Sequence, residues 1–155
     1  MALEIERKYL VVNDKWKDHI INEAPIKQGY LATTSKASMR VRVDGEQANI
    51  NIKGKTVGIS RLEYEYPIPL EEARELLDNL VSGAVIDKVR YKVRCGDHVW
   101  DLDLFLGANK GLVMAEVELS HEDEPFEMPE WAGEEVSGDT RYYNASLVNH
   151  PFCDW

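Results

Sequence analysis

The sequence predicts a mainly antiparallel β fold with a few helices, α+β or all-β in class, that can close into a barrel. Three observations carry this reading. Apolar and polar residues alternate with period two in eight segments, the pattern of strands. Short glycine-bearing turns separate several of them, at Asp44-Gly45, Gly54 to Gly58 and Gly96-Asp97. Clear helical stripes are few. The chain has 155 residues, enough for one domain with a core of its own. No repeat, low-complexity tract or composition break divides it, so residues 1–155 read as a single domain.

The first segment, Leu3–Val11, alternates throughout and reads as a strand. A short helix is expected at about Asp14–Glu23, where Trp16, Ile20 and Ile21 share one helical face behind an Asn13 or Asp14 cap. Strands follow at Gln28–Thr34, Ala37–Asp44, Ala48–Gly54 and Ser60–Ile68. Leu70–Val81 is the clearer helix. Its stripe is Leu70, Ala73, Leu76, Leu77 and Leu80, acids open its first turn, and Gly83 follows as a stop. Three more strands, Asp87–Cys95, His98–Phe105 and Leu112–Ser120, complete the set. The tail, Asp139–Val148, reads as a terminal helix.

Composition excludes several functions. With 44% hydrophobic and 30% charged residues, the chain is neither a disordered tail nor a membrane protein. Its apolar runs fall short of the roughly 20 residues of a membrane helix. The opening MALEIERKYLV carries acids where a signal peptide wants bases. Cys95 and Cys153 offer no disulfide framework, so a cytoplasmic setting is expected. Eighteen basic against 28 acidic residues give a net charge of −10, which argues against broad binding of nucleic acid or anionic membranes. The four histidines are dispersed without ligand spacing, and no GxxxxGK loop exists for a P-loop nucleotidase.

The strand faces are more informative, because side chains alternate between the two sides. Glu4, Glu6 and Lys8 share one face of the first strand. Arg40 and Arg42 do so in the third, Asn51 and Lys53 in the fourth, and Arg61, Glu63 and Glu65 in the fifth. Lys88, Arg90 and Lys92 follow, then Asp101 with Asp103, and Glu116 with Glu118. A solvated face is normally more mixed in composition, and like charges at i and i+2 repel. Such rows make sense when a ligand of opposite charge sits between them: acidic doublets suit a hard divalent cation, basic doublets suit phosphate oxygens. The apolar faces, with the Leu70–Val81 helix, must then form the core. The barrel is inverted, with charges lining a watery tunnel and apolar residues pointing outward under helices.

The same residues fall in blocks that resemble the CYTH superfamily, the triphosphate tunnel metalloenzymes. EIERKYLV carries the Glu-x-Glu-x-Lys signature. After it come QGYL (Gln28–Leu31), SMRVRV (Ser38–Val43), NIKG (Asn51–Gly54), RLEYEY (Arg61–Tyr66) and DKVRYKV (Asp87–Val93). WDLDLF (Trp100–Phe105), GLVMAEVEL (Gly111–Leu119) and VSGDTRYYNASL (Val136–Leu147) complete the order. Glu-x-Glu-x-Lys alone is weak, whereas ordered blocks over nearly the whole chain are specific. The single-domain length and the opening most resemble the small bacterial inorganic triphosphatases.

The resemblance implies an α+β, mainly antiparallel β fold: an eight-stranded closed barrel with a charged interior and flanking helices. It implies metal-dependent hydrolysis of tripolyphosphate to pyrophosphate and phosphate. Arg40, Arg42, Lys53, Arg61, Lys88 and Arg90 would grip phosphate oxygens. Glu4, Glu6, Glu116 and Glu118 would bind Mg²⁺ or Mn²⁺, with Glu63, Glu65 and Asp103 as second choices. Lys8 would polarise the terminal phosphate, and Tyr30 is either an orienting hydroxyl or an ordinary strand tyrosine. Asp139, Arg141 and Tyr142 either close one tunnel mouth or leave Arg141 a surface residue with a carboxylate partner. The expected partner is a small anionic triphosphate, with no nucleic acid and no membrane, and the protein a monomer or homodimer. The alternatives are a class IV adenylyl cyclase, a thiamine or nucleoside triphosphatase, or a polyphosphate-binding module without turnover.

Overall fold

The alternating segments pair antiparallel around a closed ring. The structure is a computed structural model and describes residues 3–155. Its strands are β1 (Leu3–Val11), β2 (Ile20–Thr33), β3 (Ala37–Asp44), β4 (Gln47–Gly54), β5 (Ser60–Pro67), β6 (Ser82–Cys95), β7 (His98–Phe105), β8 (Val113–Glu118) and β9 (Ala132–Glu135). The helices are α1 (Leu70–Asn79) and the short α2 (Asn144–Leu147), with 3-10 turns such as Lys15–His19 and Thr140–Tyr142.

The ring runs β5-β4-β3-β2-β6-β7-β8-β1, and β1 closes it onto β5. One edge of β1 pairs β8 from Glu6 to Leu10. The other edge is shared: Leu3–Ile5 pair β5, while Tyr9 and Val11 pair β9. Eight strands therefore make the barrel, as the alternation predicts, and β9 rides outside it.

The differences from the expected elements have local causes. The helix expected over Asp14–Glu23 is only the Lys15–His19 turn, and Ile20 already begins β2 opposite Val93 of β6. Trp16, 2% exposed, packs its ring 4.9 Å from Tyr91, but Ile20 and Ile21 do not join it on a helical face. Strands β2 and β6 each run 14 residues and pair along most of their length, so both start earlier than Gln28 and Asp87. This long pairing claims Gly83 for β6, and α1 ends at Asn79 rather than Val81. The terminal helix is broken at Tyr143, whose extended backbone (ψ 135°) separates the Thr140–Tyr142 turn from α2. Strand β9 has no apolar alternation to betray it, since Gly133 and two acids make up most of it.

Two of the three apolar clusters lie outside the barrel wall, as the inverted arrangement requires, and the third lies inside one barrel end; helices cover only part of the outer face. Helix α1 packs Ala73 and Leu77 against Val41 and Ala48 on β3 and β4. Helix α1 and the residues after it approach β2 closely: a Cβ on Gly29 would stand 3.2 Å from Leu77 and 2.8 Å from Val81, so a larger residue there would have to push them aside. Across β1, β7 and β8 the cover is the loop between β8 and β9. Its Phe126 and Trp131 rings lie 5.7 and 5.4 Å from Trp100. The C-terminal segment instead packs into one barrel end, setting Tyr142, Leu147 and Val148 against Ile86, Phe105 and Met114, which share the inward faces of Lys88, Asp103 and Glu116. Nothing among the described residues covers β5. Leu62, Tyr64 and Tyr66 stay 42%, 43% and 55% exposed, so the expectation that every apolar outer face lies under a helix is corrected.

Val41 and Val117 are fully buried on outer faces next to inward charges. Val41→Asp or Val117→Asp should cost at least about 3 kcal/mol and leave little folded protein, because an unpaired charge enters apolar packing. Tyr64→Thr, on the uncovered face, should stay within about 1 kcal/mol of the parent in urea melts.

Candidate active site

The inward faces meet in a charged cavity of about 190 Å³. From β1 it is lined by Glu4, Glu6 and Lys8, from β3 by Arg40 and Arg42, and from β4 by Asn51 and Lys53. Strand β5 adds Arg61, Glu63 and Glu65, β6 adds Lys88 and Arg90, β7 adds Asp101, and β8 adds Glu116 and Glu118. Tyr30 of β2 also faces it and is 5% exposed. The two-residue alternation puts all of these on one side of the sheet. Asp103 is the exception among the expected residues. It shares the inward face of Asp101 but is 3% exposed and covered by its partners: Arg90 donates to both its oxygens at 2.8 and 2.9 Å and Lys88 stands 2.8 Å away.

Opposite charges hold this interior together. Glu4 accepts from Lys53 at 3.2 Å and from Arg61 at 3.1 Å. Lys53 also lies 3.1 Å from Glu63, and Lys8 lies 3.5 Å from Glu116. The arginines of β3 rest on amides instead: Arg40 donates to Asn51 at 3.0 and 3.2 Å, and Arg42 donates to Gln28 at 2.9 Å. Glu65 and Glu118 have no ion pair among the described residues. No three acidic, histidine or cysteine side chains among the described residues converge closely enough to hold an ion in this arrangement.

Burial and like charges strain the titrating groups. Burial, reinforced by the charges of Glu116 and Glu4, pushes the Glu6 carboxyl up to about 8. Burial also raises Glu118, with Glu4 and Asp101 adding to the effect. Glu4 resists its own burial, because a hydrogen bond with Glu63 and the charges of Lys53 and Arg61 bring it down to about 2. Burial pulls Lys88 down to about 7 despite Asp103 beside it. Arg42 falls to about 9 through burial and the neighbouring cations Arg40 and Arg90. The cationic wall is thus crowded enough to favour an anion among its guanidinium groups.

Several lining residues have no role in the sequence reading. Asp101 and Asn51 stand on the charged faces it identifies, but without a part in the site. Gln28 and Asn51 lie inside recognised strands, but an uncharged amide carries no doublet signal. Ser137, Tyr143 and Asn144 come from the C-terminal segment, which crosses one barrel end. The Ser137 hydroxyl accepts from the Lys8 backbone at 2.9 Å, and the Lys8 ammonium lies 5.0 Å from the Tyr143 ring centre. Arg141 faces away: it pairs with Asp139 at 2.8 Å and stacks 4.9 Å from the Trp155 ring, so it is a surface residue with a carboxylate partner.

Comparison with known proteins agrees with this geometry. A CYTH-domain family model matches residues 2–150. An inorganic triphosphatase of Acetivibrio thermocellus is 45% identical over 98% of this chain and 97% of its own length. An inorganic triphosphatase of Nitrosomonas europaea is 37% identical over 94% of this chain and 96% of its own. The solved inorganic triphosphatase NE1496 superposes with a TM-score of 0.70 at 34% identity, covering 96% of this chain and 95% of that one. The PH1012 protein of Pyrococcus horikoshii, at 20% identity and a TM-score of 0.62 over 77% of this chain and 80% of that one, shares the fold.

The raised Glu6 carboxyl sets a pH dependence for the protein without ligands or divalent ions. A carboxyl at about 8 when folded and near the ordinary 4.5 when unfolded favours folding below that range, and the benefit is lost as pH rises from about 5 to 8. Glu6→Gln removes the titration while keeping the shape. Its melting temperature should match the parent near pH 5 and exceed it by at least about 2 °C at pH 8. A thermal-shift series across pH measures the difference.

Proposed function

The chain belongs to the CYTH family, and from that premise we propose that it hydrolyses inorganic triphosphate, releasing pyrophosphate and phosphate inside the barrel. The observation that carries this is the basic wall, in which Arg40, Arg42, Lys88 and Arg90 line one cavity and burial, with the neighbouring cations, pulls Arg42 and Lys88 down. A linear polyanion relieves that crowding. The planar guanidinium pairs phosphate oxygens in a fork and stays charged, which suits arginine to the task. The cavity is smaller than the roughly 300–1,000 Å³ typical of pockets for organic ligands, which favours triphosphate without a nucleoside or thiamine group.

Phosphoryl transfer depends on positioning and electrostatics more than on covalent chemistry. Arg42 spends its Nε on Gln28 and Arg40 leans on Asn51, so the amides aim both forks along the cavity. Lys53 and Arg61 link the basic wall to the acidic side through Glu4. Lys8 lies between Glu116 and Tyr143 and would polarise a phosphoryl group, while Tyr30, which lines the cavity and packs in an apolar cluster, either orients that group or serves as an ordinary strand tyrosine. The acidic side offers the hard oxygen donors that Mg²⁺ or Mn²⁺ takes. Glu6, raised by burial and its crowded neighbours, and Glu118, without an ion pair, would supply such donors together with Glu4 and Glu116 by drawing closer than in the arrangement described above. Glu63 and Glu65 stand next to them. A divalent cation held by these carboxylates would supply charge neutralisation for the polyphosphate. Asp103 is left to hold Lys88 and Arg90, because both of its oxygens are occupied.

One chain builds the whole cavity, so a monomer or a homodimer serves equally. The two free cysteines suit a reducing cytoplasm. No helix among the described residues is long and apolar enough to cross a membrane.

Phosphate release should be measured with tripolyphosphate, ATP and thiamine triphosphate, each with Mg²⁺, Mn²⁺ or EDTA. Tripolyphosphate should be turned over fastest, EDTA should abolish the activity, and Glu118→Gln should lower it by about 100-fold or more. ATP outpacing tripolyphosphate, or full activity in EDTA, overturns the reading. Arg40→Ala should weaken tripolyphosphate binding by about 1.5–3 kcal/mol in calorimetry and leave the fold intact.

A further inference from the structure

The C-terminal segment does more than cover the barrel end. It leaves β9, passes Lys8 of β1 through Ser137, and reaches the start of β6, where Ala84 donates to the Val148 carbonyl. It therefore crosses the barrel end at which β1 and β2 finish and β6 and β8 begin. Among its residues Asn144 alone bonds the inner wall on two strands. Its Oδ1 accepts from Gln28 Nε2 at 2.7 Å and from Lys88 Nζ at 2.9 Å.

The orientation of both amides follows from their neighbours. Arg42 can only donate, so the Gln28 oxygen must face it, which turns the Gln28 nitrogen toward Asn144. Lys88 can only donate as an ammonium, so the Asn144 oxygen must face Lys88 as well. One ordered line of bonds then runs from Arg42 through Gln28 and Asn144 to Lys88, and on through Asp103 to Arg90. Gln28 is fully buried in it. The Asn144 nitrogen makes no hydrogen bond to the described residues, although Asn144 lines the cavity. A donor in that position, beside Lys88 and Arg42, has a phosphate oxygen as its natural acceptor.

We propose that Asn144 is a substrate-binding and positioning residue of the tunnel: its oxygen holds Lys88 and, through Gln28, Arg42, while its nitrogen donates to the phosphoryl group at the closed end. This rests on the triphosphate reading above. It gives the C-terminal segment a part in recognition, since the barrel end offers that donor only when the segment is docked.

Asn144→Asp separates the two roles, because it keeps the oxygen that faces Lys88 and Gln28 but replaces the donor with an anion. It should fold like the parent, hold kcat within about threefold, and raise KM for tripolyphosphate at least about tenfold. Asn144→Ala removes both roles and should lower kcat as well as raise KM. Combined with Gln28→Leu, it should lose less than the product of the two single losses, because both act on one line of bonds. An Asn144→Asp variant with parental KM, or strictly multiplicative losses in the double variant, overturns the proposal. A parent protein that neither binds nor turns over tripolyphosphate overturns the substrate reading itself, a result distinct from either.

Discussion

The structure depends on one constraint: a strand shows its side chains alternately to two sides, and here the charged side faces inward. A ring of eight strands with that polarity cannot pack its centre, because buried charges without partners are among the costliest groups in a protein. Two carboxylates make the interior tolerable. Asp103 neutralises Lys88 and Arg90 beside it on the inner wall, and Glu4 ties Lys53 and Arg61 to the acidic side. The amides of Gln28 and Asn51 steady the remaining arginines without cancelling their charge. What is left over is a surplus of cation on one wall and of carboxylate on the other. That surplus is the binding capacity of the tunnel.

Inverting the polarity moves most of the core to the outside of the barrel and splits it. Helix α1 and the aromatic loop between β8 and β9 each cover a separate part of the outer wall, while the C-terminal segment packs on apolar residues inside one barrel end. The outer covers do not fill the barrel, so its charged inner residues can change without collapsing a packed centre. A polar ligand site and a stable core are thereby assigned to opposite faces of the same strands. Strand β5 shows the limit of this scheme, for its outer Leu62, Tyr64 and Tyr66 remain in solvent.

The barrel and most of its charged lining were legible in the sequence because a period-two pattern reports faces directly. Arg40 with Arg42, or Glu116 with Glu118, needs no tertiary information to be placed side by side. The pattern failed where the fold overrides local periodicity. Trp16, Ile20 and Ile21 fit a helical spacing, yet β6 is long enough to draw Ile20 and its successors into a strand. Strand β9 was hidden because glycine and glutamate carry no alternation. Asn144 was hidden for a different reason: its importance arises from meeting Gln28 and Lys88, residues 116 and 56 positions away. Asp103 shows the reverse error, since its charge was visible but its occupation by two cations was not.

The central claim is that tripolyphosphate completes a basic wall whose Arg40 and Arg42 have only neutral amides as partners among the described residues. Melting temperature against tripolyphosphate concentration, with a divalent ion that does not support turnover, tests it most directly. At a hundredfold excess over Kd the native state should gain about 2.7 kcal/mol, a rise of several degrees for a domain of this size. Arg42→Gln, with one inward cation removed, should melt at or slightly above the ligand-free parent and gain far less from the ligand. An equal gain in the parent and in Arg42→Gln, or no gain in the parent, would contradict the account.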